Sequence, residues 1–297
     1  MKISSLRSIF HTKLAPLYEE RETDAIFFTY IEDKFNIKKY QYHLNPVLEI
    51  VFEETDIEVL ANGAPIQYVT KKATFGELQL SVNPSVLIPR PETEELVALV
   101  LNIEKAEEQK NLTILRSYDP TVLRSYDLKI LDIGTGSGAI AIALAKKIEN
   151  AEVWATDISE EALKIAKENA DAHDAKITFL LHDILNDDSL LLPDNLDIIV
   201  SNPPYIPISE RSNLHKNVVN FEPNSALFVP DENPLLFYMV IAETAKKILR
   251  RGGVLYFETH EKFHSELSAI LVELDFKEIT LWNDLNNKPR FASCKKL

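Results

Sequence analysis

The residues best placed to do chemistry lie in Val200-Ser201-Asn202-Pro203-Pro204-Tyr205-Ile206-Pro207, directly after the apolar run Leu196-Asp197-Ile198-Ile199. A buried strand must end here. Neither proline has an N–H for a ladder, both hold φ at about −65°, and Pro204 keeps Pro203 out of the helical region. At the carboxyl end of a strand in an open α/β sheet, where ligands bind, this stiff turn would present an amide side chain and an aromatic ring. A proline-rich loop without chemistry would need neither Asn202 nor Tyr205.

The second stretch is Lys129-Ile130-Leu131-Asp132-Ile133-Gly134-Thr135-Gly136-Ser137-Gly138-Ala139-Ile140, read as a buried strand, a tight turn and a helix. The chain has only 7 glycines, and spending Gly134, Gly136 and Gly138 here marks backbone that must turn sharply and admit a ligand. A second strand, Val153 to Asp157, ends in an acid about 20 residues on, placed to accept from both hydroxyls of a ribose. Asp157 could instead cap the helix that begins at Ser159-Glu160-Glu161-Ala162. Ser159 can do that equally well and leave Asp157 free.

In the third stretch, Leu87-Ile88-Pro89-Arg90-Pro91-Glu92-Thr93-Glu94, Pro91 suits the first turn of a helix and the acids suit its positive end. A well-capped helix start does not explain Arg90 between two prolines, which makes Arg90 a candidate site residue.

Periodicity supplies the elements that must hold these residues. Ser5 to about Tyr18 and Glu22 to Phe35 have apolar residues at helical spacing, and a third helix is expected over Val47 to Phe52, before the turn Asn62-Gly63-Ala64-Pro65. Alternation around Gly76-Glu77 predicts a short hairpin. Pro91 opens a helix to about Lys110, after which Leu115-Arg116-Ser117-Tyr118-Asp119 recurs as Leu123-Arg124-Ser125-Tyr126-Asp127, a duplication too short for a solenoid. Ile177 to Leu181 is a third strand, ending at His182-Asp183. Leu235 to Arg250 is expected as a helix closed by Gly252-Gly253, followed by a strand over Val254 to Phe257, a helix over Lys262 to Leu274, and a hairpin of Phe276 to Leu281 with Phe291 to Cys294. Alternating strands and helices imply an α/β fold with a doubly wound, mostly parallel sheet.

With 45% hydrophobic and 26% charged residues the chain reads as an ordinary globular protein. Its net charge of −14 argues against an extensive nucleic-acid surface, which would need Lys and Arg to neutralise phosphates. The single cysteine, Cys294, excludes an internal disulfide and fits the cytoplasm. No metal-ligand spacing, signal-peptide core or membrane span is visible.

Gly134-Thr135-Gly136-Ser137-Gly138-Ala139 also satisfies the G-x-G-x-x-A spacing of a dinucleotide site. Asp132 before the first glycine, the strand ending at Asp183 and Asn-Pro-Pro-Tyr after a fourth strand together resemble the class I S-adenosylmethionine methyltransferases. The resemblance implies a seven-stranded sheet, adenine contacts from Asp183 and Ile184, and S-adenosyl-L-methionine held by Gly134 to Gly138, Asp157 and Asn202, leaving S-adenosyl-L-homocysteine as product. Gly63 to Tyr68, the Ile-Pro-Arg-Pro-Glu-Thr-Glu string, Phe221-Glu222-Pro223-Asn224-Ser225-Ala226-Leu227, Gly252-Gly253 with Glu258, and Asp284 to Arg290 extend it. Over nearly its whole length the chain is similar to the HemK family, the peptide-chain release factor glutamine methyltransferases. The family commonly has a glycine-rich turn before the helix that starts near Asn233-Pro234, and a glycine after the acid at Glu258, where this chain has Thr259-His260.

This resemblance implies methyl transfer to the side-chain amide nitrogen of the glutamine in the Gly-Gly-Gln loop of class I release factors. Asn202, Pro203 and Tyr205 would do the chemistry, with Pro204 and Arg90 also against the substrate. It divides the chain into a helical recognition domain at 1–72, a hairpin linker at 73–88 and the methyltransferase domain at 89–297. The rival substrates are adenine N6 in RNA or DNA, against which the acidic charge and the Ile-Pro-Arg-Pro-Glu-Thr-Glu string speak, and a ribosomal-protein glutamine. A non-catalytic adaptor would have no need of Asn202.

Overall fold

The computed structural model describes residues 1–102, 128–186 and 189–297. The chain begins with five short helices: α1 (Ile3–Leu14), α2 (Glu20–Phe35), α3 (Lys39–Leu44), α4 (Glu54–Ala61) and α5 (Ile66–Thr70). On α1, Ile3, Leu6, Phe10 and Leu14 recur at helical spacing and are fully buried. They meet Phe27, Tyr30 and Ile31 of α2, with the Phe10 and Phe27 rings edge to face at 5.5 Å. Asn36 ends α2 in the left-handed conformation, φ 56°, where its N–H and that of Ile37 satisfy the last carbonyls.

The helix expected over Val47 to Phe52 does not form. That stretch is extended and carries an antiparallel bridge between Lys2 and Glu49. Ile3 N–H donates to Leu48 O at 2.9 Å and Ile50 N–H to Met1 O at 2.9 Å, so pairing with the chain start satisfies its backbone. A six-residue segment rich in β-branched residues gains too little from helix propagation to compete. The helices of this region flank it instead, as α3 and α4.

The expected hairpin is present as β1 (Lys72–Phe75) and β2 (Leu78–Ser81), joined by Gly76-Glu77 with Gly76 at φ +56°. Pro91 opens α6, described over 91–102. Its expected continuation to about Lys110 and the Leu-Arg-Ser-Tyr-Asp duplication lie outside the described residues.

The central sheet comprises β3 (Lys129–Ile133), β4 (Glu152–Asp157), β5 (Ile177–Leu181), β6 (Leu196–Ser201), β9 (Leu249–Glu258), β10 (Lys277–Asn283) and β11 (Pro289–Lys295), while β7 (Ile206–Pro207) and β8 (Phe228–Val229) pair separately. Their order is β10-β11-β9-β6-β3-β4-β5, with β11 antiparallel to both its neighbours and the other pairings parallel. Successive residues face opposite ways. Ile130 and Ile198 join the core packed by α6 and α7 (Ala139–Lys147), whereas Leu131 and Ile199 join that packed by α10 (Leu236–Ile248) and α11 (His264–Glu273). The chain is thus the doubly wound α/β fold its alternation implies. The order reverses between β3 and β6, so the crevice at their carboxyl ends is the place for a ligand.

Helix α10 stops at Ile248, and Gly252-Gly253 lie within β9 instead of closing the helix as expected. The pairing with β6 jumps from Leu196↔Leu249 to Ile198↔Val254, so the strand bulges at the glycines. Gly252 has φ +78°, and its N–H donates to Lys296 O. A Cβ on Gly253 would stand 2.8 Å from the Leu196 carbonyl oxygen. Gly253→Ala should therefore destabilise the chain by about 1–3 kcal/mol, read from urea unfolding, through the backbone shift needed to relieve that contact. An unchanged unfolding midpoint would contradict this account of the bulge.

Candidate active site

At the end of β3 the Gly134 and Thr135 N–H groups both donate to Thr156 O at 2.9 Å, folding the turn back onto β4. Gly134, Gly136 and Gly138 have φ of +75°, +54° and +85°. Their roles differ. A Cβ on Gly134 or Gly136 would meet nothing within 4 Å, so open space lies over the turn. One on Gly138 would press on Ala166 at 3.2 Å, so that glycine lets α7 approach α8 (Glu160–Ala172). Asn169 of α8 ties the turn to the hairpin, donating to Ser137 O at 2.8 Å and exchanging two hydrogen bonds with the Ser81 backbone.

Two acids flank the turn. Asp132 is fully buried, and its Oδ2 accepts from Thr135 Oγ1 at 2.7 Å and Ala141 N–H at 3.2 Å. Its Oδ1 takes no hydrogen bond among the described residues. Ser159 does cap α8, accepting from Ala162 N–H at 3.1 Å, but Asp157 is not left free. Its Oδ2 accepts from Gly136 N–H at 2.9 Å and its Oδ1 from Ser159 N–H at 3.0 Å. The carboxylate is pinned at the end of β4, each oxygen keeping further lone-pair capacity. One strand over, Asp183 accepts from Leu185 N–H and the Asn186 side chain, closing its own turn, and Ile184 is half-buried against the core packed by α10 and α11. The structure therefore sets Gly134 to Gly138, Asp157 and Asp183 along the ends of three adjacent strands.

At the end of β6, Asn202 and Tyr205 line a cavity of about 250 Å³ with Arg90, Val218, Leu227 and Glu258. The turn is anchored from beneath by β9. Glu258 is 1% exposed, and its Oε1 accepts from Tyr205 OH at 3.1 Å while its Oε2 accepts from Thr93 Oγ1 at 2.7 Å. Thr93 Oγ1 in turn accepts from Asn202 Nδ2 at 3.1 Å. Burial raises the Glu258 carboxyl above the usual range, opposed by these two hydrogen bonds and by the charge of Arg290. Burial and the Glu258 charge also raise the Tyr205 phenol, which stays protonated. Pro203 is buried and Pro204 half-buried.

Arg90 lines the cavity, but its guanidinium is committed to Glu222 Oε1 at 2.6 Å. Glu222 Oε2 also accepts from Ile88 N–H at 3.3 Å, so Arg90 neutralises a buried acid and fixes the cavity wall. Thr93, Glu222, Glu258 and Arg290 stood within the sequence motifs without a role. A signal was present for Glu258, an acid ending the apolar run Val254-Leu255-Tyr256-Phe257. Nothing local marked Thr93, whose partners lie 109 and 165 residues away. No group of three or more His, Cys, Asp or Glu among the described residues could hold a metal ion, and no described helix is long and apolar enough to cross a membrane.

Burial pushes the Asp132 carboxyl up to about 7, against the hydrogen bonds from Thr135 and Ala141. The folded chain then keeps a proton that the unfolded chain releases above about pH 4, so stability declines as pH rises from about 4 to about 7. One such proton corresponds to about 1.4 kcal/mol per pH unit. Urea midpoints of the wild type and Asp132→Asn across this range should diverge by that slope, and parallel profiles would contradict the assignment.

Comparison with known proteins places this geometry in a family. The methyltransferase-domain family matches residues 125–295. The release factor glutamine methyltransferase of Flavobacterium psychrophilum is 39% identical over 295 residues, covering 98% of this chain and 98% of that protein. That of Bacteroides thetaiotaomicron is 40% identical over 237 residues, covering 80% and 78%. Among solved structures, the hMettl16 catalytic domain in complex with MAT2A 3'UTR hairpin 1 matches with a TM-score of 0.56 at 18% identity, over 91% of each chain, a likeness of fold. With a nearly full-length relative at this identity, the chain belongs to the release factor glutamine methyltransferase family.

Proposed function

We propose that this protein transfers a methyl group from S-adenosyl-L-methionine to the side-chain amide nitrogen, N5, of the glutamine in the Gly-Gly-Gln loop of class I peptide chain release factors. The observation that carries the reading is the cavity where Asn202 and Tyr205 meet at the end of β6, beside the glycine turn of β3. S-adenosyl-L-homocysteine is the expected product and the cytoplasm the expected compartment.

The residues around the turn suit this cofactor. The space over Gly134 and Gly136 admits a ligand against the backbone, with Thr135 and Ser137 completing the cradle. The carboxyl of Asp157 suits a cofactor that carries a cationic sulfonium and ammonium better than the two negative charges of a dinucleotide pyrophosphate. Asp157, held by two N–H groups, has lone pairs left for the ribose hydroxyls, and Asp183 with Ile184 would meet the adenine. When bound, the cofactor supplies an electrophilic methyl group on a positively charged sulfur.

An amide nitrogen is a poor nucleophile because its lone pair is delocalised into the carbonyl, so the site must orient it and stabilise the positive charge it acquires. Asn202 Oδ1 and the Pro203 carbonyl can each accept one hydrogen of the glutamine NH₂, which fixes the nitrogen and favours charge development there. Tyr205 would pack on the flat amide, while Pro203 and Pro204 keep the acceptors still. Orientation of this kind contributes about 7–11 kcal/mol in well-aligned systems. The proton can leave to water after transfer.

The helical unit at 1–72, joined through the hairpin at 73–88 to the methyltransferase unit at 89–297, would grip the release factor away from its loop. That remote binding would hold the amide in line. Leu44 and Val51 are large apolar side chains exposed on this unit.

The function is tested by incubating the protein with labelled S-adenosylmethionine and, separately, a release factor, a ribosomal protein and rRNA, then locating the label by mass spectrometry. Label on the Gly-Gly-Gln glutamine is expected, and label only on RNA adenine would establish the rival substrate. Asn202→Ala should lower kcat by about 10²–10³-fold on whole release factor and on a short Gly-Gly-Gln peptide alike. A normal rate would contradict the amide clamp. Leu44→Asp with Val51→Asp should raise KM for whole release factor and leave the peptide unaffected, and equal effects on both would argue against a remote grip.

A further inference from the structure

An asparagine amide has two ends of nearly equal shape, and only its oxygen end can accept hydrogens from a glutamine NH₂. Which end Asn202 offers is decided behind it. Thr93 Oγ1 lies 2.7 Å from Glu258 Oε2 and 3.1 Å from Asn202 Nδ2. The donors Thr93 and Tyr205 and the charge of Arg290 favour the ionised form of Glu258 against its burial. An ionised carboxylate has no proton to give, so the single hydroxyl proton of Thr93 goes to Glu258, and Oγ1 turns only lone pairs toward Asn202. Those lone pairs accept from Nδ2. An Oδ1 in the same place would meet them acceptor to acceptor. With Nδ2 held by α6, Oδ1 is the end left for the cavity that Asn202 lines.

The chain of bonds is well anchored. Thr93 is 5% exposed in the first turn of α6, its N–H donating to Arg90 O at 3.1 Å. Tyr205 OH occupies the other oxygen of Glu258, and Tyr238 OH donates to the Glu258 backbone carbonyl at 3.2 Å. The backbone of the acid is thus fixed, and its carboxylate cannot swing away to release Thr93 without also giving up Tyr205.

We propose that Thr93 is a positioning residue for methyl transfer: a one-way hydrogen-bond chain from Asn202 through Thr93 to Glu258 sets the polarity of the Asn202 amide. The inference rests on the reading of this site as a clamp for a glutamine amide. Thr93 touches neither substrate nor cofactor in this scheme. It acts through Asn202 alone, so its loss should affect turnover and not cofactor binding.

Thr93→Val keeps the shape and removes the hydroxyl, whereas Thr93→Ser keeps the hydroxyl. With full-length protein and whole release factor, Thr93→Val should lower kcat by about tenfold or more, with KM and S-adenosylmethionine affinity by calorimetry changing by less than about twofold. Thr93→Ser should recover most of kcat. In an Asn202→Ala background, Thr93→Val should have almost no further effect, because both changes disable the same acceptor. Wild-type kcat in Thr93→Val, a serine variant as slow as the valine one, or independent multiplication of the two effects would each overturn the proposal. A wild-type protein that labels no release-factor glutamine would overturn the amide clamp itself, and this role of Thr93 with it.

Discussion

A carboxylate with almost no solvent contact is costly to keep in a fold unless donors surround it, and the site is built on the donors that surround Glu258. The acid ends β9, which the sheet places between β6 and β11. Thr93 reaches it from α6, Tyr205 from the turn after β6, and Tyr238 from α10, while Arg290 of β11 supplies positive charge. Arg290 is itself paired with Asp284 at 3.4 Å, and its carbonyl accepts from Thr259 N–H at 2.7 Å. The two carboxylate oxygens join α6 to the turn after β6, the backbone carbonyl of the same residue takes α10, and together they hold the Asn-Pro-Pro-Tyr turn at both its amide and its aromatic ring.

The same economy connects the N-terminal helices to the cavity. Helix α9 (Lys216–Phe221) and the residues after it form one wall, through Val218, Ala226 and Leu227. Phe221 packs against the core of α1 to α5 and also against the cluster of Tyr68, Val86 and Ile88. Next in sequence, Glu222 fixes Arg90, and Tyr68 OH donates to Val86 O at 2.7 Å. A load on the helical unit therefore reaches the cavity wall through packed side chains and a buried ion pair. That physical route would let binding energy gained far from the glutamine orient its amide.

What could be read from the sequence was what depends on neighbours along the chain. Pro203 and Pro204 announce the end of β6, the three glycines announce a turn between a strand and a helix, and Gly76-Glu77 announces a hairpin, because each is a local constraint on φ. Periodicity separated the strands from the helices for the same reason. Val47 to Phe52 reads locally as a helix because its partner is the chain start, 45 to 49 residues away, and no local pattern shows that pairing. Gly252-Gly253 resembled a helix stop because glycine is favoured there too, whereas the contact that requires Gly253 comes from Leu196 on another strand. The site divides in the same way. Asn202, Tyr205 and Asp157 were recognisable by their positions at strand ends, but the pinning of Asp157 by Gly136 and the chain through Thr93 to Glu258 arise only when the sheet assembles.

The central claim is that two fixed acceptors, Asn202 Oδ1 and the Pro203 carbonyl, hold the NH₂ of a glutamine amide. A crystal structure of the protein with S-adenosyl-L-homocysteine and a Gly-Gly-Gln peptide would measure this directly. The account predicts the glutamine nitrogen within about 3.2 Å of both acceptors, with Tyr205 against the amide plane. A glutamine whose carbonyl oxygen faces Asn202, or one lying outside the cavity, would contradict it.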